Sequence, residues 1–197
     1  MTDLITHQAM FQATDRPDPA LRHQRGDPND LRLGELISVD QHLYSGAQVV
    51  LLGSPQDEGV RRNRGRPGAA KAPGQIRTCL ARLTVNNLRA LRVFDLGDIK
   101  IQPTLEETHA LQRSIVQRVI SDGKRLVVIG GGNDITYPDC AGLAAAKNPV
   151  LALNIDAHFD LRDDKQRNSG TPYRQLLEDR IVRPSALYEL GVQLFAN

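Results

Sequence analysis

Two carboxylates and an imidazole occupy alternate positions, Asp156, His158 and Asp160, shortly after an apolar segment at 149–153. The apolar segment predicts a buried strand, which places the three polar side chains at its carboxyl end. Where the chain stays extended, residues spaced by two point to the same side. Carboxylate and imidazole ligands together suit a divalent ion such as Mn²⁺ or Zn²⁺. The spacing therefore predicts a metal site, and it favours metal-assisted hydrolysis.

A glycine-rich turn follows a second apolar segment, with the sequence Gly-Gly-Gly-Asn-Asp at 130–134. The glycines allow the backbone to turn sharply and leave room for a close approach. A dinucleotide-binding fingerprint would need another glycine at position 135, where Ile135 stands, so that class of protein is disfavoured. Two roles are open for Asn133: its amide oxygen joins the metal site, or Asn133 or Asp134 caps the following helix.

Cationic and small polar residues form two further candidate groups. Four arginines lie in six positions after the first predicted strand, at 61, 62, 64 and 66. Such a run is usually a solvated loop, but guanidinium groups also pair with acidic substrates, and Arg162 is a separate candidate for that role. Ser169, Gly170 and Thr171 precede a predicted helix, where small hydroxyl residues either contact substrate or only cap the helix.

Strands and helices alternate along the part of the chain that must position these groups. Strands are predicted at Gln48–Gly53, Arg92–Leu96, Arg125–Gly130, Val150–Asp156 and Ala186–Val192. Helices are predicted at Pro73–Leu83, Leu105–Ser121, from Asp134 to before Asn148, and at Pro172–Asp179, with one short helix in Leu31–Leu43. This alternation predicts an α/β fold with a mainly parallel sheet. The strands are apolar on both faces, as in sheets that helices cover on both sides.

The composition is that of a globular chain of 197 residues, 40% hydrophobic and 24% charged. A net charge of +2 is too small to indicate nucleic acid or a membrane surface as a partner. Two cysteines, Cys79 and Cys140, do not make a disulfide framework, and we expect them to be reduced in a cytoplasmic protein.

Several motifs, in order, resemble the ureohydrolase (arginase/agmatinase) family. Asp-Ala-His-Phe-Asp at 156–160 matches the family's Asp-Ala-His-x-Asp motif, and the turn at 130–134 stands where the family has Gly-Gly-x-His. Segments 53–59, 65–69, 73–77 and 95–98 also match. Ser-Gly-Thr-Pro-Tyr-Arg at 169–174 is most similar to the formimidoylglutamase branch, which has Ser-Gly-Thr-Pro-Phe-Arg.

The resemblance implies an arginase-like, three-layer α/β/α fold and two Mn²⁺ ions that activate water to hydrolyse a linear amidine. By resemblance, Asp156 is a bridging carboxylate, His158 a ligand of one ion and Asp160 a ligand of the other, and these three are the catalytic candidates. Asn133 stands where the family usually has a histidine ligand.

The formimidoylglutamase branch implies a small-molecule substrate, N-formimidoyl-L-glutamate, which yields L-glutamate and formamide in histidine degradation. Arg162, Ser169, Gly170 and Thr171 are then the candidates for substrate binding. Family members often form trimers or hexamers, so a homo-oligomer is expected, with neither nucleic acid nor membrane as a partner.

Two features depart from the family pattern. Asn133 is neutral and a weaker ligand than histidine, so we predict that one ion is held more loosely than the other. The family's second metal motif, Ser-x-Asp-x-Asp, does not occur between Leu161 and Asn197. The sequence thus resembles a C-terminally truncated family member, with a polar arm at 1–45 and the first two-thirds of one arginase-like domain at 46–197.

With so few ligands, we expect the chain alone to be weakly active or inactive. Two alternatives to a formimidoylglutamase stay open. One is a ureohydrolase for guanidino substrates, of the arginase, agmatinase or guanidinobutyrase type. The other is a catalytically inactive paralogue that binds only metal or a partner.

Overall fold

The computed structural model describes residues 4–195. In this range the strands are β1 (Thr14–Asp15), β2 (Ile37–Ser38), β3 (Val49–Gly53), β4 (Val93–Ile99), β5 (Arg125–Ile129), β6 (Val150–Ile155) and β7 (Val182–Leu190). The α-helices are α1 (His7–Gln12), α2 (Leu33–Leu36), α3 (Glu58–Arg62), α4 (Ala72–Ala81), α5 (Leu105–Ser121), α6 (Thr136–Ala146) and α7 (Pro172–Glu178).

The described strands form two sheets. In the larger one, β3 lies between β4 and β5 and is parallel to both, while β2 pairs parallel and β1 antiparallel with β4. In the smaller one, β6 and β7 run parallel. The predicted mainly parallel α/β arrangement is confirmed. The polar motifs lie in the segments that follow the carboxyl ends of β3, β5 and β6, where open α/β sheets bind their ligands.

Most predicted elements have the predicted bounds within a few residues. The predicted helix at Leu105–Ser121 is confirmed, and a capping box begins it: the side chains of Thr104 and Glu107 each accept from the other residue's backbone N–H. Strand β7 begins at Val182, earlier than the predicted Ala186. The helix predicted within Leu31–Leu43 is reduced to the single turn of α2, because the next two residues pair with β4 instead.

The described part of the predicted polar arm packs against the larger sheet. Met10 of α1 is fully buried, and Thr14 pairs with Ile99 of β4. Gly97 (φ 95°) lies so close to this segment that a Cβ there would meet the carbonyl oxygen of Asp15 at 1.9 Å. The arm therefore adds a strand and a core residue to the fold. Residues 1–3 of the predicted arm and residues 196–197 of the predicted domain lie outside the described residues. The boundary between arm and domain at residue 45 stays a prediction.

Two apolar clusters hold the elements together. The first joins β3 and β4 to α1 and α5, with Val50, Phe94 and Ile115 almost fully buried. The second joins β6 and β7 to α6 and α7 through Tyr137 and Leu176, among others. Helices α5 and α6 pack against each other and so connect the two clusters.

One face of the smaller sheet is apolar and exposed. Leu151, Leu153 and Ile155 of β6 are 62%, 53% and 76% exposed, and their neighbours on β7, Tyr188 and Leu190, are each 50% exposed. The expectation that helices cover both faces of every strand is therefore wrong for β6, because in residues 4–195 the covering helices pack on its other face. None of the described helices is long and apolar enough to span a membrane.

Candidate metal and substrate site

The segments that follow β3, β5 and β6 surround one cavity of about 610 Å³. Asn133, Asp156, His158 and Asp160, the four residues predicted as metal ligands, line it. The tertiary structure thus brings together motifs that are separated by more than 20 residues in the sequence.

A tight turn arranges the three residues after β6. The strand ends at Ile155, so the premise of an extended chain through Asp160 is wrong. Asp156 Oδ1 accepts a hydrogen bond from the backbone N–H of His158 at 2.7 Å and lies 3.0 Å from His158 Nδ1. Asp160 then adopts a left-handed backbone conformation with φ 49°. The turn, rather than the alternation of a strand, directs these side chains to the cavity.

Asn133 reaches across the cavity floor to Asp160. Its Nδ2 donates to Asp160 Oδ2 at 2.5 Å, and its Oδ1 accepts from the Thr136 hydroxyl at 3.2 Å. The helix-capping alternative for Asn133 and Asp134 is wrong: the N-cap positions belong to Gly132 and Ile135, and neither has a side-chain cap. Asn133 is therefore placed for a role in the site.

The glycine turn before Asn133 packs closely against α4 and the segment after β3. Gly130 and Gly131 have φ values of 77° and 87°, which L-residues with a Cβ rarely adopt. A Cβ on Gly130 would meet Pro73 of α4 at 2.4 Å, and one on Gly131 would meet the Ser54 carbonyl oxygen at 2.8 Å. The glycines at 130 and 131 thus allow a close approach of α4 and of the segment after β3, and Gly131 also lines the cavity.

A buried polar network lies beneath the Asn133 turn. Asp134 Oδ2 is 2.8 Å from His109 Nε2 and accepts a hydrogen bond from Gln56 Nε2 at 2.6 Å. Asp134 and His109 are each 1% exposed. The sequence assigns no role to His109, and no local signal points to Asp134 as its partner.

The side chains of Asn133, Asp156, His158 and Asp160 suit a hard divalent cation, although in this structure they form hydrogen bonds with one another. Within residues 4–195, no three His, Cys, Asp or Glu side chains are gathered closely enough to hold an ion as they stand. Asp156 is instead bonded to His158, and Asp160 to Asn133. Burial and then the charge of Asp156 raise the pKa of Asp160 to about 6. Carboxylate and amide oxygens suit Mn²⁺, and the imidazole of His158 adds a nitrogen ligand. To bind the ion, Asn133 would turn its amide oxygen, which now accepts from Thr136, toward Asp160.

The outer wall of the cavity contains Arg162 and Ser169, two of the four predicted substrate-binding residues. The other two do not line it. Gly170 is buried and its carbonyl accepts from the Arg162 backbone N–H at 2.9 Å. Thr171 is 1% exposed, and its hydroxyl bonds to the backbone of Asn168. Both shape the loop, and neither presents a polar group to the cavity.

The arginine run after β3 contributes to the site through a different residue. Arg61 is paired with Asp57, and Arg62 with Glu58 and Glu106, so these guanidinium groups fix helix α3. Asn63, which follows them, lines the cavity and contacts both Arg162 and Ser169. Sequence reasoning missed Asn63, because nothing in the run distinguishes it from a loop asparagine.

Known proteins share this architecture. The Arginase family model matches residues 47–197. The chain is 40% identical over 154 residues to the formimidoylglutamase of Rhodococcus jostii, covering 74% of this chain and 48% of that protein. It is 42% identical over 134 residues to that of Salmonella arizonae, covering 66% and 42%. The chain thus spans about half the length of the curated relatives it matches.

Solved structures agree with the sequence comparison. A Trypanosoma cruzi formiminoglutamase structure with two Mn²⁺ ions superposes with a TM-score of 0.77 at 39% identity, covering 84% of this chain and 59% of that one. The Bacillus subtilis formimidoylglutamase gives 0.77 at 26% identity, covering 89% and 57%. The fold is the three-layer α/β/α arrangement of these proteins. A family match over most of the chain, with the motif residues around one cavity, means that this chain belongs to the arginase family.

Proposed function

We propose that this chain carries part of the active site of a Mn²⁺-dependent formimidoylglutamase. The reaction is hydrolysis of N-formimidoyl-L-glutamate: water adds to the amidine carbon, its C–N bond to glutamate breaks, and L-glutamate and formamide leave. The observation that carries the proposal is one cavity with metal-type donors on its floor and Arg162 on its wall. The relatives at 40% and 42% identity are formimidoylglutamases, which supports this branch of the family.

Asp156, His158, Asp160 and Asn133 would hold the metal. Bound Mn²⁺ ions would supply an activated water and polarise the amidine. The chain's own carboxylates balance the charge of the cation, and the turn at 156–160 holds them in place. The neutral Asn133 adds a donor without adding charge.

Arg162 and Ser169 are suited to a substrate that carries carboxylates. A guanidinium group pairs with a carboxylate through parallel hydrogen bonds, and a hydroxyl adds a third donor. Both residues line the same cavity as the metal donors, so one small molecule can contact both regions. A substrate with an amidine at one end and carboxylates at the other matches a cavity with metal donors on its floor and Arg162 and Ser169 on its wall.

We propose that residues 1–197 alone are weakly active or inactive. Four donors are few for two ions, and no Ser-x-Asp-x-Asp motif occurs between Leu161 and Asn197. The relatives are about twice as long as the matched region. The free thiols of Cys79 and Cys140 support a cytoplasmic enzyme. The reaction would belong to histidine degradation. The active protein would be a homo-oligomer.

A chimera tests the reaction with a completed site. The matched 154 residues of the Rhodococcus jostii enzyme are replaced by their counterparts from this chain, and purified protein is loaded with Mn²⁺. We expect formamide from N-formimidoyl-L-glutamate, and no formamide from a chimera with Asp156→Ala. Urea from guanidino substrates would instead support an arginase-type activity. A folded, Mn²⁺-loaded chimera without either product would support an inactive paralogue.

A further inference from the structure

Asn63 connects the two polar residues on the outer wall of the cavity. It follows the last residue of α3, and its backbone N–H donates to the Gly59 carbonyl at 3.1 Å. Its side-chain Oδ1 accepts from Arg162 Nη1 at 2.8 Å, and its Nδ2 donates to Ser169 Oγ at 2.9 Å. One carboxamide therefore contacts both groups, and all three side chains line the cavity.

The direction of these two hydrogen bonds determines what the wall can bind. The Ser169 oxygen accepts from Asn63, which leaves the hydroxyl's own proton for a different acceptor. The Arg162 guanidinium gives one of its five N–H groups to Asn63 and keeps the others. Asn63 thus turns both neighbours into donors, and the acceptor that suits a guanidinium and a hydroxyl together is a carboxylate.

The backbone around Asn63 makes this arrangement rigid. The Gly59 carbonyl accepts from the N–H groups of both Asn63 and Ser169, so helix α3 and the loop at 161–171 share one anchor. Arg62 adds a second connection, because its guanidinium bonds to the Glu106 carboxylate and the Arg167 carbonyl oxygen. Asn63 is therefore held between two fixed segments.

We propose that Asn63 is the positioning residue that makes this wall specific for a carboxylate of the substrate. This inference rests on the proposed function, and it adds a residue from the segment after β3 to the recognition of the glutamate portion. Asn63 acts through Arg162 and Ser169. An aspartate at this position would accept from both neighbours, so the Ser169 proton would point away from substrate. Its charge would also repel the carboxylate.

Binding of L-glutamate to the 1–197 chain tests the proposal without metal or turnover. Titrations in EDTA are followed by ¹H–¹⁵N NMR, including the Arg162 Nε–Hε signal, with L-glutamine and L-isoglutamine as probes that each lack one carboxylate. We expect L-glutamate to bind at least about tenfold tighter than one of these amides, the effect of one charge-assisted hydrogen bond. The Arg162 signal should shift on binding.

Three variants separate positioning from general structure. Asn63→Asp should weaken L-glutamate binding by about tenfold or more, and Asn63→Ala by a smaller factor, with loss of the preference over the amide in both. Asn87→Asp, which adds the same charge at an exposed position in another part of the fold, should change neither. Thermal unfolding of each variant controls for folding, and Asn63→Ala serves if Asn63→Asp does not fold.

Two results would overturn the proposal: a wild-type chain without preference for L-glutamate, or Asn63 variants that bind L-glutamate as the wild type does. If only the proposed function is wrong, the two experiments give a different combination of results. L-Glutamate binding would then depend on Asn63, while the Mn²⁺-loaded chimera would release no formamide.

Discussion

The guanidinium group of Arg77 lies against the carboxylate of Asp95 in a two-point contact, with Nε to Oδ2 at 2.7 Å and Nη2 to Oδ1 at 2.9 Å. Both side chains are about 5–6% exposed, and Arg77 Nη1 also bonds to Asp98. Burial lowers the pKa of Arg77, but Asp95 and Asp98 outweigh it and keep the pKa above its usual value. The pair joins α4 to β4, which gives the family-like segments at 73–77 and 95–98 a structural role.

Removing this guanidinium should destabilise the fold. We expect Arg77→Met to lower the free energy of unfolding by about 3–5 kcal/mol, because the buried carboxylate of Asp95 would lose its cation and the partly exposed Asp98 would lose its partner. Urea denaturation measures the change. Arg183→Met removes an exposed arginine of β7 and is the matched control, expected to change stability by less than about 0.5 kcal/mol. Equal effects of the two substitutions would contradict the structural role of the pair.

Asp139 should make stability depend on pH. Burial raises its pKa to about 7, and the hydrogen bond from Gln112 only partly opposes this. The folded-state pKa thus exceeds the unfolded value of about 3.9, so folding disfavours the ionised form. The resulting cost is absent below about pH 4, grows as pH rises, and is complete above about pH 7.

Asp139→Asn should remove that cost and keep the acceptor for Gln112. We expect the variant to match the wild type at about pH 4 and to be more stable by roughly 4 kcal/mol at pH 8. Denaturant unfolding at several pH values measures the difference. Asp15→Asn, at an exposed carboxylate, should show no such trend. A constant difference across this pH range would contradict the assignment to Asp139.

Asn133 should set the strength of metal binding. We expect Asn133→His to bind Mn²⁺ about tenfold tighter and Asn133→Ala to bind it more weakly, because imidazole is a better ligand than a neutral amide. Calorimetric titration of the chain measures the affinity and the number of ions. Asp156→Ala should abolish binding. Unchanged affinity in both Asn133 variants would mean that Asn133 serves only as the partner of Asp160.

The exposed apolar face of β6 should promote self-association of the 1–197 chain. We expect Leu151→Thr with Leu153→Thr to reduce association, because threonine keeps strand propensity and lowers the exposed apolar area. Light scattering against protein concentration measures the effect. Leu88→Thr, which changes a residue that is 47% exposed elsewhere, is the control. If Leu88→Thr reduced association as much as the two β6 substitutions do, this prediction would be contradicted.

Local sequence determined the strands, the helices and the position of the chemical motifs. Alternating apolar segments are a local property, so the sequence could predict that Asp156 and Asn133 each follow the carboxyl end of a strand. The capping box of Thr104 and Glu107 was readable because both partners lie within one helical turn. The family resemblance was carried by the same short motifs.

Tertiary structure decided what lies around those motifs. The turn at Asp156–Asp160 replaced the extended chain, since a bond from Asp156 to the His158 backbone competes with continuation of the strand. The roles of Asn63, between Arg162 and Ser169, and of Asp134, beside His109, depend on contacts across 25 to 106 residues. No local pattern encodes such contacts, because packing selects the partner of a polar side chain only after the backbone has placed both.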